Sequence, residues 1–294
     1  MVANQSISAA TKGRRSFRLG GYLPLIPPVT ILLLFFALPV GMMIGLSLHT
    51  SVPGTFGLQQ YHDFFTDDLA LDGLRRTLVL SGIVALCVTT MAYPIAYYLA
   101  RSTSRWRAVV FGIAIAPELA GVVLRTYGWL VILEKNGFIN NTLMWMGLIQ
   151  SPLPLMNNMF GAVVGLTHVL LPFGILSLLT SLQGVDRNLE KAAQILGASR
   201  LSVLRYVVFP LSLPGIISSF LIAFTLSASA YATPALLGGM KFRVLATMIY
   251  HEVMVVVDWP AAAAMAIVLL IIVLCIAFIS ARAENRIVSK LHVR

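Results

Sequence analysis

Six apolar runs decide what this chain can fold into. They lie at roughly 22–48, 74–100, 108–133, 159–182, 211–237 and 260–280. Each exceeds the roughly 20 residues that a helix needs to cross a hydrocarbon layer. Inside a bilayer no water satisfies backbone N–H and C=O groups, so such runs become helices. Only 11% of residues are charged, where a soluble domain averages about 25%, and mean hydropathy is +0.87. The fold class that follows is an all-α membrane protein with six transmembrane helices, residues 22–280, between a tail of 1–21 and a tail of 281–294. Two further pieces are apolar but unfit to span. Leu143–Ile149 is too short and reads as an interfacial or re-entrant helix. Residues 244–258 contain His251, Glu252 and Asp258 and read as a partial, amphipathic element.

The net charge of +10 is distributed unevenly. Lys12, Arg14, Arg15 and Arg18 precede the first run; Arg101, Arg105 and Arg107 follow the second; Arg187, Lys191, Arg200 and Arg205 follow the fourth; Arg282, Arg286, Lys290 and Arg294 follow the sixth. These segments hold 15 of the 21 bases and only three acids, Asp186, Glu190 and Glu284. Basic loops stay on the cytoplasmic side, so both termini and the loop after the fourth run are expected there. Bases scattered between spans do not make a nucleic-acid face. Arg14-Arg15 has the look of a twin-arginine signal, but the run behind it is too long for a signal core and shows no small-residue cleavage site. It reads instead as an anchor for the first span. Cys87 and Cys275 sit inside apolar runs without disulfide or metal-ligand spacing, so no metal is expected.

The loop at 183–215, QGVDRNLEKAAQILGASRLSVLRYVVFPLSLPG, is more ordered than a connection requires. Asp186 suits a helix N-cap, because its carboxylate can accept from free backbone N–H groups. Leu189, Ala192, Ala193 and Leu196 then share one helical face. Gly197 suits a C-terminal stop. A second short helix, Leu201 to Phe209, is expected to end at Pro210, where the fifth span begins. The order is helix, glycine turn, helix, proline, membrane, and it suits a surface on which something docks.

This stretch resembles the EAA loop of binding-protein-dependent ABC importer permeases. That pattern is Glu-Ala-Ala, three residues, Gly, nine residues, Ile, one residue, Leu-Pro. Ala192-Ala193 stand at the right distance before Gly197, which Ala198 follows; Val207 and Pro210 fall at the later positions, with Phe209 where Leu is usual. One departure is plain: Lys191 occupies the usual Glu position and Glu190 comes one residue earlier. AYPIAYYLAR (92–101), LRTYGWLVILEKNGFINN (124–141) and YATPALLGG (231–239) are similar to the membrane subunit of spermidine/putrescine-type importers, a branch that also serves other small solutes.

The resemblance implies a type I importer permease fold in the bacterial inner membrane. It implies a second related permease, two copies of a cytoplasmic ABC ATPase and a periplasmic solute-binding protein. The loop, with Glu190, Lys191, Ala192, Ala193, Gly197, Ala198 and Pro210, would be the coupling helix that enters a groove on the ATPase; an acidic residue in that groove is expected to face Lys191. ATP and Mg would be bound by the partner ATPase. The chain itself has no GxxxxGK[ST] phosphate loop and, on this reading, is not an enzyme and carries no cofactor. The solute would be small and polar, a polyamine or a related amine or amino-acid derivative.

Polar groups inside spans are costly and are candidates for function. Glu118, next to Pro117, lies seven residues before Arg125 and on about the same helical face. It either lines the pathway and meets a cationic solute, or forms a structural ion pair or a contact to the second permease. Arg125, Tyr127 and Trp129 are expected near the periplasmic end. Tyr231 and Thr233 precede Pro234 at the end of the fifth span, where a helix break is tolerated if it lines a cavity. Within the branch an acidic residue often stands just before this aromatic; here that residue is Ala230. His168, near Pro172, either faces the pathway or is packed in the bundle. Two other classes make different demands on a sequence. An ion-coupled secondary transporter or channel would show internal repeats with paired broken helices, and the sequence has no convincing repeat. A membrane enzyme would need convergent acid–base groups, but Glu118, His168 and His251 lie on separate segments.

Overall fold

The computed structural model describes residues 26–49 and 55–292. Lys12, Arg14, Arg15, Arg18 and Arg294, which contribute to the expected orientation, lie outside the described residues. The chain divides into two compact units, residues 1–43 and residues 44–294. The first contains most of α1 (Ile26–Ser47), an apolar helix with Pro39 in its interior.

In the second unit a short α2 (Gln59–Thr66) leads to α3 (Asp68–Arg101). Asp67 caps α3 by accepting from the Leu69 N–H at 3.0 Å, so this helix starts before the apolar run at 74. Next come α4 (Trp106–Ile115), a 3₁₀ turn (Ala116–Leu119), α5 (Val122–Leu133) and α6 (Phe138–Trp145). The third apolar run is therefore not one straight helix. It bends by 100° between Leu119 and Val122. Pro117 lacks an N–H to continue the ladder, and Ala120 and Gly121 take extended backbone angles.

Asn158 caps α7 (Met159–Gly184), accepting from the Gly161 N–H at 3.1 Å. Beyond it lie α8 (Arg187–Ile195), α9 (Arg200–Val203), a π turn (Leu204–Val208), α10 (Phe209–Leu211) and α11 (Leu213–Ala228). Pro210 does not end a helix, as the sequence pattern suggests. It sits at the start of α10, where a missing N–H is tolerated, and the 66° bend comes at Ser212. The fifth span also stops at Ala228 rather than 237; Pro234–Gly238 forms a separate π turn. The amphipathic piece at 244–258 folds as α12 (Leu245–His251) continuing into a π turn (Glu252–Val256). Asp258 accepts from the Ala261 N–H at 3.0 Å and starts α13 (Trp259–His292), which runs past 280 without a break. Among the described residues four helices are long and apolar enough to cross a membrane, or up to six if each bent pair is one span.

α3, α7 and α11 form the core of this unit. Leu80, Val84 and Val88 of α3 pack on Leu166 and Val169 of α7 and on Phe224 of α11. Close approach depends on small residues. A Cβ at Gly174 would lie 2.6 Å from a Val88 methyl and 3.1 Å from the Ser219 hydroxyl. A second cluster joins Leu99, Leu178 and Leu182 to Val203 and Val208, and so seats the base of the α8–α10 segment against the ends of α3 and α7.

Candidate functional site

The elbow at 186–211 is built largely as its sequence suggests. Asp186 accepts from the Asn188 N–H at 2.9 Å and starts α8. Gly197 closes it with φ of +88°, a left-handed conformation that costs an L side chain about 1–2 kcal/mol. Ser199 accepts from the Ser202 N–H and caps α9. The face expected at 189, 192, 193 and 196 is split. Ala193, with Ala198, packs inward on the second core cluster, whereas Ile195 and Leu196 are 85% and 88% exposed. Leu201 is exposed beside them. The elbow thus has a buried base and an open apolar tip.

Arg101, the last residue of α3, fixes that base. Its Nε donates to Glu190 Oε1 at 2.6 Å, and both side chains are nearly buried, 14% and 12% exposed. Its two terminal nitrogens donate to the carbonyls of Leu182 and Val185 at 2.9 and 3.3 Å, which end α7. Arg187 donates in turn to the Ala100 carbonyl. A planar guanidinium can serve a carboxylate and two carbonyls at once, which an ammonium cannot. In the sequence Arg101 reads only as a topological charge. Its partner is 89 residues away, and no local pattern links them. Lys191, by contrast, is exposed and has no side-chain partner among the described residues.

The intramembrane candidates fall into two groups. The first gathers at the bend of the third apolar run. Arg125 Nη1 donates to Glu118 Oε1 at 2.8 Å; the Arg125 side chain is 8% exposed and that of Glu118 27%. The two do not share one straight helix, because the bend intervenes, yet it leaves them in contact. Trp129 meets His168 of α7 edge to face at 5.7 Å. His168 Nδ1 and Arg125 Nε have no hydrogen-bond partner among the described residues. Thr233 joins this region through a 3.0 Å contact to the Thr126 hydroxyl, a partner that the sequence did not single out. Tyr127 is exposed and stands apart.

The second group surrounds Tyr231, which stacks on Tyr250 with ring centroids 4.3 Å apart and planes 27° from parallel. The pair lines a cavity of about 290 Å³ together with Glu252, His251 and Arg243. Tyr250 was missed, since an aromatic in an amphipathic segment carries no signal of its own. Among the described residues no three His, Cys, Asp or Glu side chains are gathered as a metal ion would need.

The fold is shared with membrane chains of ABC importers. A chain of a bacterial ABC transporter involved in the import of the acidic polysaccharide alginate superimposes with a TM-score of 0.74 at 21% identity, covering 90% of this chain and 94% of that one. A chain of the MetNI methionine ABC transporter, in an inward-facing conformation, gives 0.57 at 18% identity, covering 74% and 95%. In sequence, the chain is 31% identical over 246 residues to the spermidine/putrescine transport system permease protein PotB of Escherichia coli, covering 82% of this chain and 89% of that protein. It is 30% identical over 223 residues to the inner membrane ABC transporter permease protein YdcU of the same organism, covering 71% and 70%. The family of binding-protein-dependent transport system inner membrane components matches residues 15–289, and the chain belongs to it as a multi-pass ABC importer permease of the inner membrane.

Proposed function

We propose that this permease pairs with a second, related permease to form the pathway of an ATP-driven importer, with both termini and the elbow in the cytoplasm. Two copies of a cytoplasmic ATPase bind and hydrolyse ATP with Mg, and a periplasmic binding protein delivers the solute. The observation that carries this reading is the contrast within the elbow: a base held by Val203, Val208 and the Arg101–Glu190 pair, and a tip of Ile195, Leu196 and Leu201 left open. A stiff two-helix lever transmits a rigid-body motion, whereas a flexible loop absorbs it. Burying exposed apolar surface in a groove of the ATPase also gives the docking its driving force. Bulky replacement of Ala193, or Gly197→Asp, is expected to abolish co-purification of the ATPase and ATP-dependent uptake. Intact coupling in both variants would refute the assignment. Uptake by the chain alone, without ATP, would favour a secondary transporter or channel.

For the solute, a polyamine or related amine fits best. The Tyr231–Tyr250 pair and Glu252 offer aromatic faces and a carboxylate within one cavity, the combination that attracts an organic cation. Arg243 on the same cavity also admits an amine that carries an acidic group. The carboxylate of Glu118 is already met by Arg125, so Glu252 is the better partner for an incoming ammonium. Replacing Glu252 by Gln is expected to raise the KM for spermidine uptake about ten-fold, roughly the weight of one charge-assisted hydrogen bond. An unchanged KM would remove this cavity from the pathway and leave the permease reading standing.

A further inference from the structure

A cavity of about 510 Å³ lies where the elbow meets the ends of α3 and α7. Arg101, Arg107, Arg187 and Lys191 line it, with Asp186 the one acid. Arg101 is neutralised by Glu190. Asp186 already accepts from its own helix. The charges on Arg107, Arg187 and Lys191 meet no carboxylate within ion-pair distance among the described residues, and the side chains of Arg107 and Lys191 make no hydrogen bond either. Arg107 lies in the first turn of α4, and Arg187 is the first residue of α8. Both therefore sit at the positive end of a helix dipole, which disfavours a cation. Three cations from two elements against the single carboxylate of Asp186 leave a net positive cavity, which calls for an anion.

Its surroundings identify the anion's source. Trp106, adjacent to Arg107, is 59% exposed, and exposed tryptophans mark the boundary between membrane and water. Beyond it α4 presents Val109 and Ile113, exposed, apolar and one turn apart on the same face, suited to acyl chains. Basic pockets at this depth between membrane helices are places where anionic headgroups bind. We propose that this cavity binds the phosphate of an anionic phospholipid, which bridges Arg107 on the third apolar run to Arg187 and Lys191 on the elbow. Lys191 then has a role of its own at the position where the family pattern has Glu: the carboxylate has moved to Glu190 to hold Arg101, and the freed position supplies a cation to the lipid. The proposal rests on the membrane location of the chain and not on docking of the ATPase.

The test uses the full chain in neutral detergent, titrated with short-chain phosphatidylglycerol, short-chain phosphatidylcholine or inorganic phosphate and read by native mass spectrometry. Phosphatidylglycerol is expected to bind preferentially. Arg107→Gln and Lys191→Gln should each weaken it about five-fold, the weight of one basic residue at an anionic surface, and should leave phosphatidylcholine unchanged. Both side chains are exposed and unpaired, so folding is not at stake. Arg282→Gln, a charge elsewhere at the end of a span, should change nothing. Three results would overturn the proposal: equal binding of the two lipids, an equal loss in Arg282→Gln, or full competition by inorganic phosphate at the lipid's own concentration, which would make this a site for a soluble anion. A fourth would reassign Lys191 to a protein contact: Lys191→Gln that weakens ATPase co-purification while lipid affinity stays at the wild-type value.

Discussion

Two arginine–glutamate pairs hold two bent parts of this molecule, and they do opposite work. Arg125 and Glu118 are seven residues apart and sit on either side of the 100° bend. Their bond is local; it fixes the angle between neighbouring pieces of one apolar run. Arg101 and Glu190 are 89 residues apart. Their bond joins the end of α3 to the elbow, and the same guanidinium holds the last carbonyls of α7. One pair shapes a segment and the other assembles three segments. Removing one partner of a nearly buried pair leaves a charge without compensation, so both should be costly to break, but the consequences should differ in reach.

The largest effect is expected for Arg101→Ala. It strands Glu190 and two carbonyls, for a loss of about 3–5 kcal/mol at the base of the elbow. Limited proteolysis is then expected to cut at Arg187, Lys191 or Arg200 faster than in the parent protein. Arg101→Lys should recover only part of this protection, since an ammonium lacks the planar fork. Protection fully restored by Lys would mean that charge alone matters. Next comes Arg125→Gln, at about 2 kcal/mol, in the range of a hydrogen bond to a charged group. Its effect should stay within α4–α5, and adding Glu118→Gln should relieve it, because no unpaired charge remains. Thermal unfolding of the single and double variants in detergent tests this directly; a double variant worse than the single would break the distinction drawn here. Gly197→Ala should cost about 1–2 kcal/mol from its left-handed backbone and loosen the elbow without affecting the bend. The smallest effect belongs to Ser219→Ala. Its 3.4 Å contact to Thr89 joins two core helices, and hydroxyl pairs between membrane helices average about 0.6 kcal/mol.

The contrast also explains what the sequence makes legible. The apolar runs, the Asp186 cap, the Gly197 stop and the short helices around it are local features and are present in the structure. The Glu118–Arg125 pair was visible as one of two readings because its members are close in the chain. The bend itself was not foreseen: Pro117 was in view, but an apolar run tolerates a proline and gives no angle. The Arg101 clasp, the Tyr231–Tyr250 stack and the Thr126–Thr233 contact depend on which helices pack together. Hydropathy cannot report that, because these helices are largely apolar all round. The role proposed for Arg107 escaped for a related reason, since a basic residue in such a loop is already accounted for by topology; Lys191 was singled out, but for a groove on the ATPase.

The π turn at Leu204–Val208 has a consequence for how this protein can change over time. A π turn is a helix that has accepted an extra residue, and each residue of an α-helix advances the chain by about 100°. Loss of one residue here would keep the helix continuous to Leu211 but turn its last part. Phe209 and Ser212, which now meet Tyr93 of α3, would point elsewhere. The loops of this protein can lengthen or shorten with little penalty, but this turn behaves like a dial with one working setting. Substitutions can accumulate around it, while insertions and deletions should be eliminated.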